Sequence, residues 1–146
     1  MNVALVCSAG GHLTELQFLS ESFEGHDTFF VTYHDVRTEE LEDAYLLEPI
    51  DTNPWRLLQA FYRIGRIFRA EQPDVVVSTG SEIAIPAFVW AALLDIESVY
   101  IESWCRVNSL SGTGRLVYHL ADLFLVQWPQ LREKAGERAR YEGAVI

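Results

Sequence analysis

Short runs of apolar residues recur along the chain, separated by stretches with helical spacing. The runs cover residues 3–7, 28–33, 75–78, 98–101 and 123–126. Because successive side chains of a strand point to opposite faces, a run that is apolar throughout must be covered on both faces of its sheet. The pattern therefore predicts a doubly wound parallel α/β sheet, formed by a single domain over residues 1–146.

The intervening segments are predicted as helices. Residues 13–20, 54–70 and 86–94 are the clearest, and Pro54 suits the first turn of the second one, with Thr52 or Asn53 as its cap. Shorter helices are predicted over residues 38–44, 116–121 and 133–139, before a final apolar segment at 143–146. Polar loops at the ends of the strands are then the places to look for a site.

Charge and length exclude several classes of protein. The 146 residues include 21 Asp and Glu against 11 Lys and Arg, a net charge of −10, which argues against a nucleic-acid-binding protein. The length excludes a large two-domain enzyme. The chain start lacks the features of a signal peptide, and no apolar stretch approaches the ~20 residues of a membrane span. We therefore expect a cytoplasmic protein whose membrane contact is peripheral.

The sequence offers no recognisable metal or cofactor motif. Cys7 and Cys105 lack metal-ligand spacing and are expected to be buried reduced thiols. There is no DxD motif and no histidine cluster. We therefore expect neither a metal nor a cofactor.

Two glycine-containing turns each follow a predicted strand and open a helix. Backbone N–H groups at such a turn, together with a helix N-terminus, favour an anion. The residues predicted to bind phosphate there are Ser8, Gly10, Gly11, Ser78, Thr79, Gly80 and Ser81. His12 would point into the same cleft as a general base or diphosphate ligand. The alternatives are a tight turn capped by His12 and a simple helix cap at Ser81.

Two further loops follow the last two predicted strands. Glu102 could orient or deprotonate a substrate hydroxyl, and Arg106 could pair with a phosphate. The alternative is that these two residues pair with each other. In the last loop, Trp128, Pro129 and Gln130 form a rigid aromatic turn that suits a ligand lid or a partner interface.

The predicted helix over residues 54–70 is basic in an otherwise acidic chain. It contains four Arg and no Asp or Glu. At helical spacing the arginines share one side with two aromatic residues, which is typical of a helix lying in a membrane interface. The predicted membrane-facing residues are Trp55, Arg56, Tyr62, Arg63, Arg66 and Arg69. The alternative is a solvated face that balances the acidic remainder.

Five ordered motifs give the chain a family resemblance over nearly its whole length. They are SAGGH at 8–12 with Glu15 following, PDVVVSTG at 73–80, YIES at 100–103, SLSG at 109–112 and ADLFLVQWP at 121–129. Together they resemble the acceptor-side, membrane-recruiting subunits of the two-part UDP-sugar glycosyltransferases, the Alg14-like and PssD/EpsE-like family. Trp104-Cys105 and the single Gly80 depart from the common pattern of this family.

The resemblance implies the Rossmann-like N-terminal half of a GT-B glycosyltransferase. Such a subunit binds a polyprenyl-diphosphate-linked acceptor at the cytoplasmic face of the membrane and is inactive without a donor-binding partner subunit. With that partner it would transfer a sugar, N-acetylglucosamine or a uronic acid, from a UDP-sugar with inversion, with His12 as the first candidate base and Glu102 as the second. One other function stays open, a non-catalytic membrane scaffold that recruits and activates a transferase. A stand-alone nucleotide-binding domain of the flavodoxin type is disfavoured, because the chain lacks a GxGxxG turn followed by an acidic residue for the ribose.

Overall fold

The computed structural model describes residues 1–145 and contains a sheet of seven parallel strands. In chain order these are β1 (Asn2–Val6), β2 (Asp27–Tyr33), β3 (Ala44–Leu47), β4 (Val75–Ser78), β5 (Glu97–Ile101), β6 (Leu123–Val126) and β7 (Ala139–Tyr141). The helices are α1 (Gly11–Phe18), α2 (Pro54–Glu71), α3 (Ala84–Leu93), α4 (Gly112–Val117) and α5 (Pro129–Ala135). Across the sheet the order is β3-β2-β1-β4-β5-β6-β7.

Both faces of the sheet are covered, as the apolar strands predicted. On one face Ala4 and Val6 of β1 pack with buried side chains of α2 to α5. On the other face Val3 and Leu5 pack with buried side chains of α1. The alternation along β1 is the period of two expected of a strand between two helical layers. The doubly wound parallel sheet is thereby confirmed.

The strand order reverses at β1, which places the turns after β1 and β4 beside each other. β1 pairs with β2 on one side and with β4 on the other, both in parallel. The chain leaves β1 towards α1 on one face, but leaves β4 towards α3 on the opposite face. In open parallel sheets such a switch point opens a crevice at the carboxyl ends of the strands, where ligands bind.

The long helix α2 begins and ends at identifiable residues. The side chain of Asn53 accepts a hydrogen bond from the N–H of Trp55 at 3.0 Å, and Pro54 is the first helical residue. At the other end Gln72 takes a left-handed conformation with φ of +49°. The predicted cap at Asn53 is therefore confirmed.

Gly65 lets α2 approach α3 closely. A Cβ at this position would clash with the ring of Trp90, with Nε1 only 2.9 Å away. The same indole is held by further contacts, because it stacks on Phe61 with ring centroids 4.8 Å apart and donates from Nε1 to the carbonyl oxygen of Phe61. The guanidinium of Arg69 covers it at 4.7 Å. Moving Trp90 aside would therefore break these contacts and cost free energy.

We expect Gly65→Ala to lower the free energy of unfolding by about 1–3 kcal/mol, because overpacking forces the Trp90 ring or the helix backbone to shift. Gly112→Ala is the matched control, since a Cβ on Gly112 meets nothing within 4 Å. Because Gly112 is the first residue of α4 and not in its interior, Ala there should change stability by less than ~0.5 kcal/mol. Urea denaturation of both variants measures the difference, and equal effects would contradict the tight crossing of α2 and α3.

Several predicted elements differ from the structure. The helix over 38–44 is wrong: the Oγ1 of Thr38 donates to the carbonyl oxygens of Tyr33 and Asp35, which holds the segment as turns before β3. The helix predicted at 116–121 lies earlier, as α4, because Ser111 caps it. The helix over 133–139 starts earlier too, at Pro129, and Gly136 with φ of +111° ends it before β7. In the final segment residues 143–145 are not regular, and residue 146 lies outside the described residues.

Candidate functional site

A cleft of about 690 Å³ lies at the carboxyl edge of the sheet. The turns after β1 and β4 and the loop between β5 and α4 bound it. Its lining includes His12, Ser81, Ser103, Trp104 and Arg106. The crevice expected at the switch point is therefore present, and it brings three of the predicted loops together.

His12 stands in the first turn of α1 and is fixed by the turn after β4. Its Nδ1 lies 2.9 Å from the carbonyl oxygen of Thr79, and the hydroxyl of Thr79 donates back to the carbonyl oxygen of His12 at 2.6 Å. A carbonyl oxygen only accepts, so Nδ1 holds the proton and the neutral ring keeps its lone pair at Nε2. Within residues 1–145, Nε2 has no hydrogen-bond partner. The ring is thus oriented and has one free proton-accepting atom.

One arginine lies beside the glycine turn after β1, and another lines the cleft. Gly10 has φ of +96°, a conformation open to glycine at no steric cost, and Gly11 lines the cleft. Arg106 lines the cleft, and Nη1 of Arg37 lies 4.0 Å from the place that a Cβ on Gly10 would occupy. Neither arginine forms an ion pair with any acid among the described residues. One unpaired guanidinium therefore lies beside this turn and a second lines the cleft that the turn helps to form.

Arg37 was missed in the sequence, although a signal was present. It lies four residues beyond β2, at the same edge of the sheet as the predicted loops. The incorrect helix over 38–44 was predicted to begin directly after Arg37, and the loop after β2 was not among the loops considered for a site. The carboxylate of Asp35 accepts from the Arg37 N–H at 2.9 Å, which fixes the turn that presents this arginine.

Most of the remaining predicted anion-binding residues shape the turns instead of lining the cleft. Ser78 and Thr79 are buried, and the Ser78 hydroxyl accepts from the N–H of Gly80 at 3.1 Å. Gly80 lies under the ring of His12. Ser8 is half-buried and does not line the cleft. Ser81 does line it, and the alternative that Ser81 caps α3 is wrong, because that helix has no side-chain cap.

Glu102 is buried behind the cleft with its carboxylate fully engaged. Only 1 % of it is exposed. It accepts from the N–H of Ser103 at 3.0 Å and from the N–H and hydroxyl of Ser111 at 2.9 and 3.0 Å. Ser111 in turn accepts from the N–H of Gly114, so Glu102 supports the first turn of α4. The alternative pairing of Glu102 with Arg106 is wrong.

Glu15 is a second buried carboxylate, which sequence reasoning used only as part of a motif. It is 5 % exposed, and its Oε1 accepts from the N–H of Trp104 at 2.8 Å. Its Oε2 is buried without a partner among the described residues, and burial raises the pKa of the carboxyl. Glu15 therefore ties α1 to the loop after β5 and fixes where that loop closes the cleft.

The loop after β5 also contacts the loop after β6. The Nε1 of Trp128 donates to the carbonyl oxygen of Trp104 at 2.6 Å, and the two indole centroids lie 5.4 Å apart. Pro129 and Gln130 are exposed beside them at the start of α5. Cys105 is exposed in the same loop, so the expectation of two buried thiols holds for Cys7 alone.

The predicted membrane-facing residues all lie exposed on α2. Trp55, Leu58 and Tyr62 are 73 %, 59 % and 64 % exposed, and their spacing of three and four residues puts them on one stripe. The arginines have different contacts. Arg56 and Arg63 donate to the carbonyl oxygens of Pro49 and Leu46. Arg66 lies 6.0 Å over the ring of Tyr62, and Arg69 covers Trp90.

Residues 1–145 contain no cluster of three or more His, Cys, Asp or Glu side chains placed to hold a metal ion. None of the helices described has the length and apolar character needed to cross a membrane.

Solved structures share the fold over about half of their own length. A crystal structure of Acinetobacter baumannii MurG superposes with a TM-score of 0.80 at 15 % identity, covering 96 % of this chain and 45 % of that chain. The UDP-GlcNAc 2-epimerase of Methanocaldococcus jannaschii gives 0.77 at 16 % identity, covering 99 % and 46 %. Identities this low show the fold alone. They confirm the Rossmann-like architecture of one half of a GT-B glycosyltransferase.

Three curated proteins similar in sequence to this chain have the same name. The UDP-N-acetylglucosamine transferase subunit ALG14 of Rattus norvegicus is 33 % identical over 141 residues, covering 92 % of this chain and 62 % of the relative. The subunit of the same name from Eremothecium gossypii is 42 % identical over 96 residues, covering 60 % and 42 %. That of Saccharomyces cerevisiae is 27 % identical over 126 residues, covering 80 % and 53 %. The chain thus spans less than two thirds of the length of these relatives.

The match to a defined family covers most of the chain. Residues 36–145 match the family described as "Oligosaccharide biosynthesis protein Alg14 like". This stretch includes β3 to β7 and three of the four loops that form or flank the cleft. The chain therefore belongs to the Alg14-like family of oligosaccharide biosynthesis proteins.

Proposed function

We propose that this chain is the acceptor-binding subunit of a heteromeric glycosyltransferase. It would bind a polyprenyl-diphosphate-linked saccharide at the cytoplasmic face of a membrane, and a partner subunit would supply the UDP-sugar. One observation carries the proposal: a fixed histidine with a free Nε2 shares a cleft with Gly11 and the unpaired Arg106, and a second unpaired arginine, Arg37, lies beside the same glycine turn. A base beside a diphosphate site is what an acceptor hydroxyl linked to a diphosphate needs.

The reaction follows from these positions. Nε2 of His12 takes the proton of the acceptor hydroxyl as its oxygen attacks the anomeric carbon of the donor. The bond from that carbon to the diphosphate oxygen of the UDP-sugar breaks, and UDP leaves with the electron pair. Attack in line with the leaving group inverts the anomeric centre.

The acceptor diphosphate would bind beside the glycine turn after β1. Free backbone N–H groups at the start of α1 and the guanidinium groups of Arg37 and Arg106 favour negative charge there. Arg binds phosphate oxygens in a bidentate way, which orients as well as attracts. This arrangement would hold the first sugar of the acceptor near His12.

A partner subunit would complete the enzyme. The chain covers 45 % of the MurG chain that it resembles in fold, and its relatives are named as subunits. Trp128 is half-buried and Pro129 and Gln130 are exposed beside the cleft, where a donor-binding subunit would close over it. UDP-N-acetylglucosamine, named for the relatives, is the first donor to test.

Reconstitution tests this function directly. The chain would be co-expressed with a candidate donor-binding subunit from the same genome and supplied with labelled UDP-N-acetylglucosamine and a polyprenyl-diphosphate-linked saccharide. We expect labelled lipid-linked product only when both subunits are present. Product formed by either subunit alone would contradict the divided site.

The exposed stripe on α2 supports the membrane contact. β3 ends at the edge of the sheet that bears the cleft, and α2 follows it directly. Trp55 and Leu58 therefore lie near the level at which a lipid-linked acceptor would approach. Apolar side chains next to Arg suit a helix at an anionic interface.

We expect Trp55→Ser/Leu58→Ser and Arg66→Glu to weaken binding to vesicles of anionic phospholipid. At roughly 1 kcal/mol per charge near the surface, reversing Arg66 alone corresponds to about 30-fold. Arg66 suits the test because it makes no hydrogen bond to the fold within residues 1–145. Phe18→Ser is the matched control, because Phe18 is 59 % exposed but lies on α1, on the opposite face of the sheet. Unchanged flotation of the α2 variants would remove this helix from the membrane contact.

A further inference from the structure

Ser81 holds an unfavourable backbone conformation at the wall of the cleft. Its φ is +77°, in the left-handed region, and it follows Gly80 at φ +126°. A residue with a Cβ pays a conformational penalty there, which persists only when the surroundings hold it. Such a residue, in contact with a cleft, is a reason to ask what its side chain does.

The hydroxyl proton of Ser81 is already committed. Its Oγ donates to Oε2 of Glu82 at 2.7 Å, while the hydroxyl of Tyr33 donates to Oε1 at 2.9 Å. Burial alone would raise the pKa of the Glu82 carboxyl, but the hydrogen bonds from Ser81, the backbone amide and Tyr33 hold it below its usual value. Glu82 is therefore an ionised acceptor, and both of its neighbours point their protons at it.

The bond to Glu82 fixes the hydrogen-bonding role of Ser81 towards a ligand. A serine hydroxyl has one proton and two lone pairs, so Ser81 can offer the cleft only its lone pairs. A ligand group beside it must donate, as a hydroxyl or an amide N–H does. A phosphate oxygen is an acceptor, and the Glu82 carboxylate behind Ser81 also repels it. This differs from the sequence-based assignment of Ser81 to phosphate binding.

We propose that Ser81, oriented by Glu82, accepts a hydrogen bond from a hydroxyl or amide N–H of the acceptor's saccharide. Tyr33 fixes Glu82 in turn. The cleft would then be divided by polarity. The diphosphate binds at the glycine turn with Arg37 and Arg106, and the sugar binds towards Ser81, with His12 between the two turns. Ser81 is thus a specificity-determining residue, and the inference rests on the proposed acceptor function.

The test pairs variants of Ser81 with altered acceptors. The reconstituted heteromer binds a short-chain polyprenyl diphosphate that bears one N-acetylglucosamine, and analogues in which each sugar hydroxyl in turn is replaced by hydrogen or by fluorine. For the wild type, replacing the hydroxyl at one sugar position should weaken binding of the acceptor by about 3- to 10-fold. Hydrogen and fluorine should have the same effect, because neither can donate a hydrogen bond to Ser81. In Ser81→Ala and Ser81→Gly that penalty should vanish, and affinity for the parent acceptor should fall by a similar factor. The amide is examined in the same way with the N-methyl analogue.

Two features keep the outcomes distinct. Ser81→Gly removes the hydroxyl and the left-handed strain together, while Ser81→Ala removes the hydroxyl alone, so equal results assign the effect to the hydroxyl. Replacing the diphosphate of the acceptor with a monophosphate should lower the affinity by the same factor in the wild type and in both variants. If the wild type binds the acceptor and every sugar penalty persists in both variants, the role of Ser81 is overturned. If the wild type binds no acceptor, the proposed function fails, and this inference fails with it.

Discussion

Replacing His12 with Ala should lower the turnover of the reconstituted heteromer by about 10²–10⁴-fold, the usual contribution of a general base. Complex formation with the partner should persist, because the one hydrogen bond of the ring within residues 1–145 is internal, to the turn after β4. The physical reason is the fixed tautomer: the carbonyl oxygen of Thr79 holds the proton on Nδ1 and leaves Nε2 to accept one. Initial rates at saturating donor and acceptor measure this loss.

Three comparisons separate a base from a structural histidine. Imidazole added to His12→Ala should restore part of the turnover, because it can enter the vacated space and accept the proton. His12→Asn can still donate to the carbonyl oxygen of Thr79 but has no basic nitrogen, so its turnover should stay low. His34→Ala is the control, since His34 is exposed and paired with Glu39 at 3.4 Å, away from the cleft.

The same variants test the scaffold alternative. If the subunit only recruits and activates a transferase, turnover does not depend on a basic nitrogen at Nε2 of His12. Full turnover by His12→Asn, with acceptor binding intact, would therefore favour the scaffold and remove His12 as the base. Loss of turnover with normal complex formation favours the catalytic subunit.

The features predictable from sequence are those set by neighbouring residues. The apolar strands and the glycine turns after β1 and β4 depend on local spacing and on conformations open to glycine, so their positions at one edge followed from the parallel sheet. The cap at Asn53 is equally local. His12 could be assigned to the cleft for the same reason, because the turn and the helix that position it are consecutive in the chain.

The residues that sequence reasoning misjudged depend on contacts between distant segments. Glu102 is engaged by Ser111, nine residues further on, and the hydroxyl of Ser81 is oriented by Tyr33, which reaches Glu82 from β2. The edge strands β3 and β7 have four and three residues, too few to show a periodic pattern. A sequence indicates that a polar residue follows a strand, but the direction of its hydrogen bonds is set by the fold.

Replacing Glu102 with Ala should lower the free energy of unfolding by about 2–4 kcal/mol, because it leaves buried donors without an acceptor. The N–H of Ser103 and both donor groups of Ser111 lose their partner at once. The removed side chain is only 1 % exposed, so water cannot readily replace it. Urea denaturation gives the value. Glu97→Ala is the control, because Glu97 starts the same strand but is exposed, and it should change stability by less than ~0.5 kcal/mol.

This measurement also decides between the two candidate bases. A group that receives the proton of a substrate hydroxyl must reach it, and the Glu102 carboxylate is enclosed by Ser103 and Ser111. If Glu102 supports α4, Glu102→Ala should lower both the stability of the protein and its affinity for the acceptor, since Ser111 and Gly112 line the cleft. Glu102→Gln should be destabilised as well, because its amide group would face a backbone N–H and set donor against donor. Wild-type stability in both variants with turnover abolished would instead make Glu102 the base, and would require the loop after β5 to open when the acceptor binds.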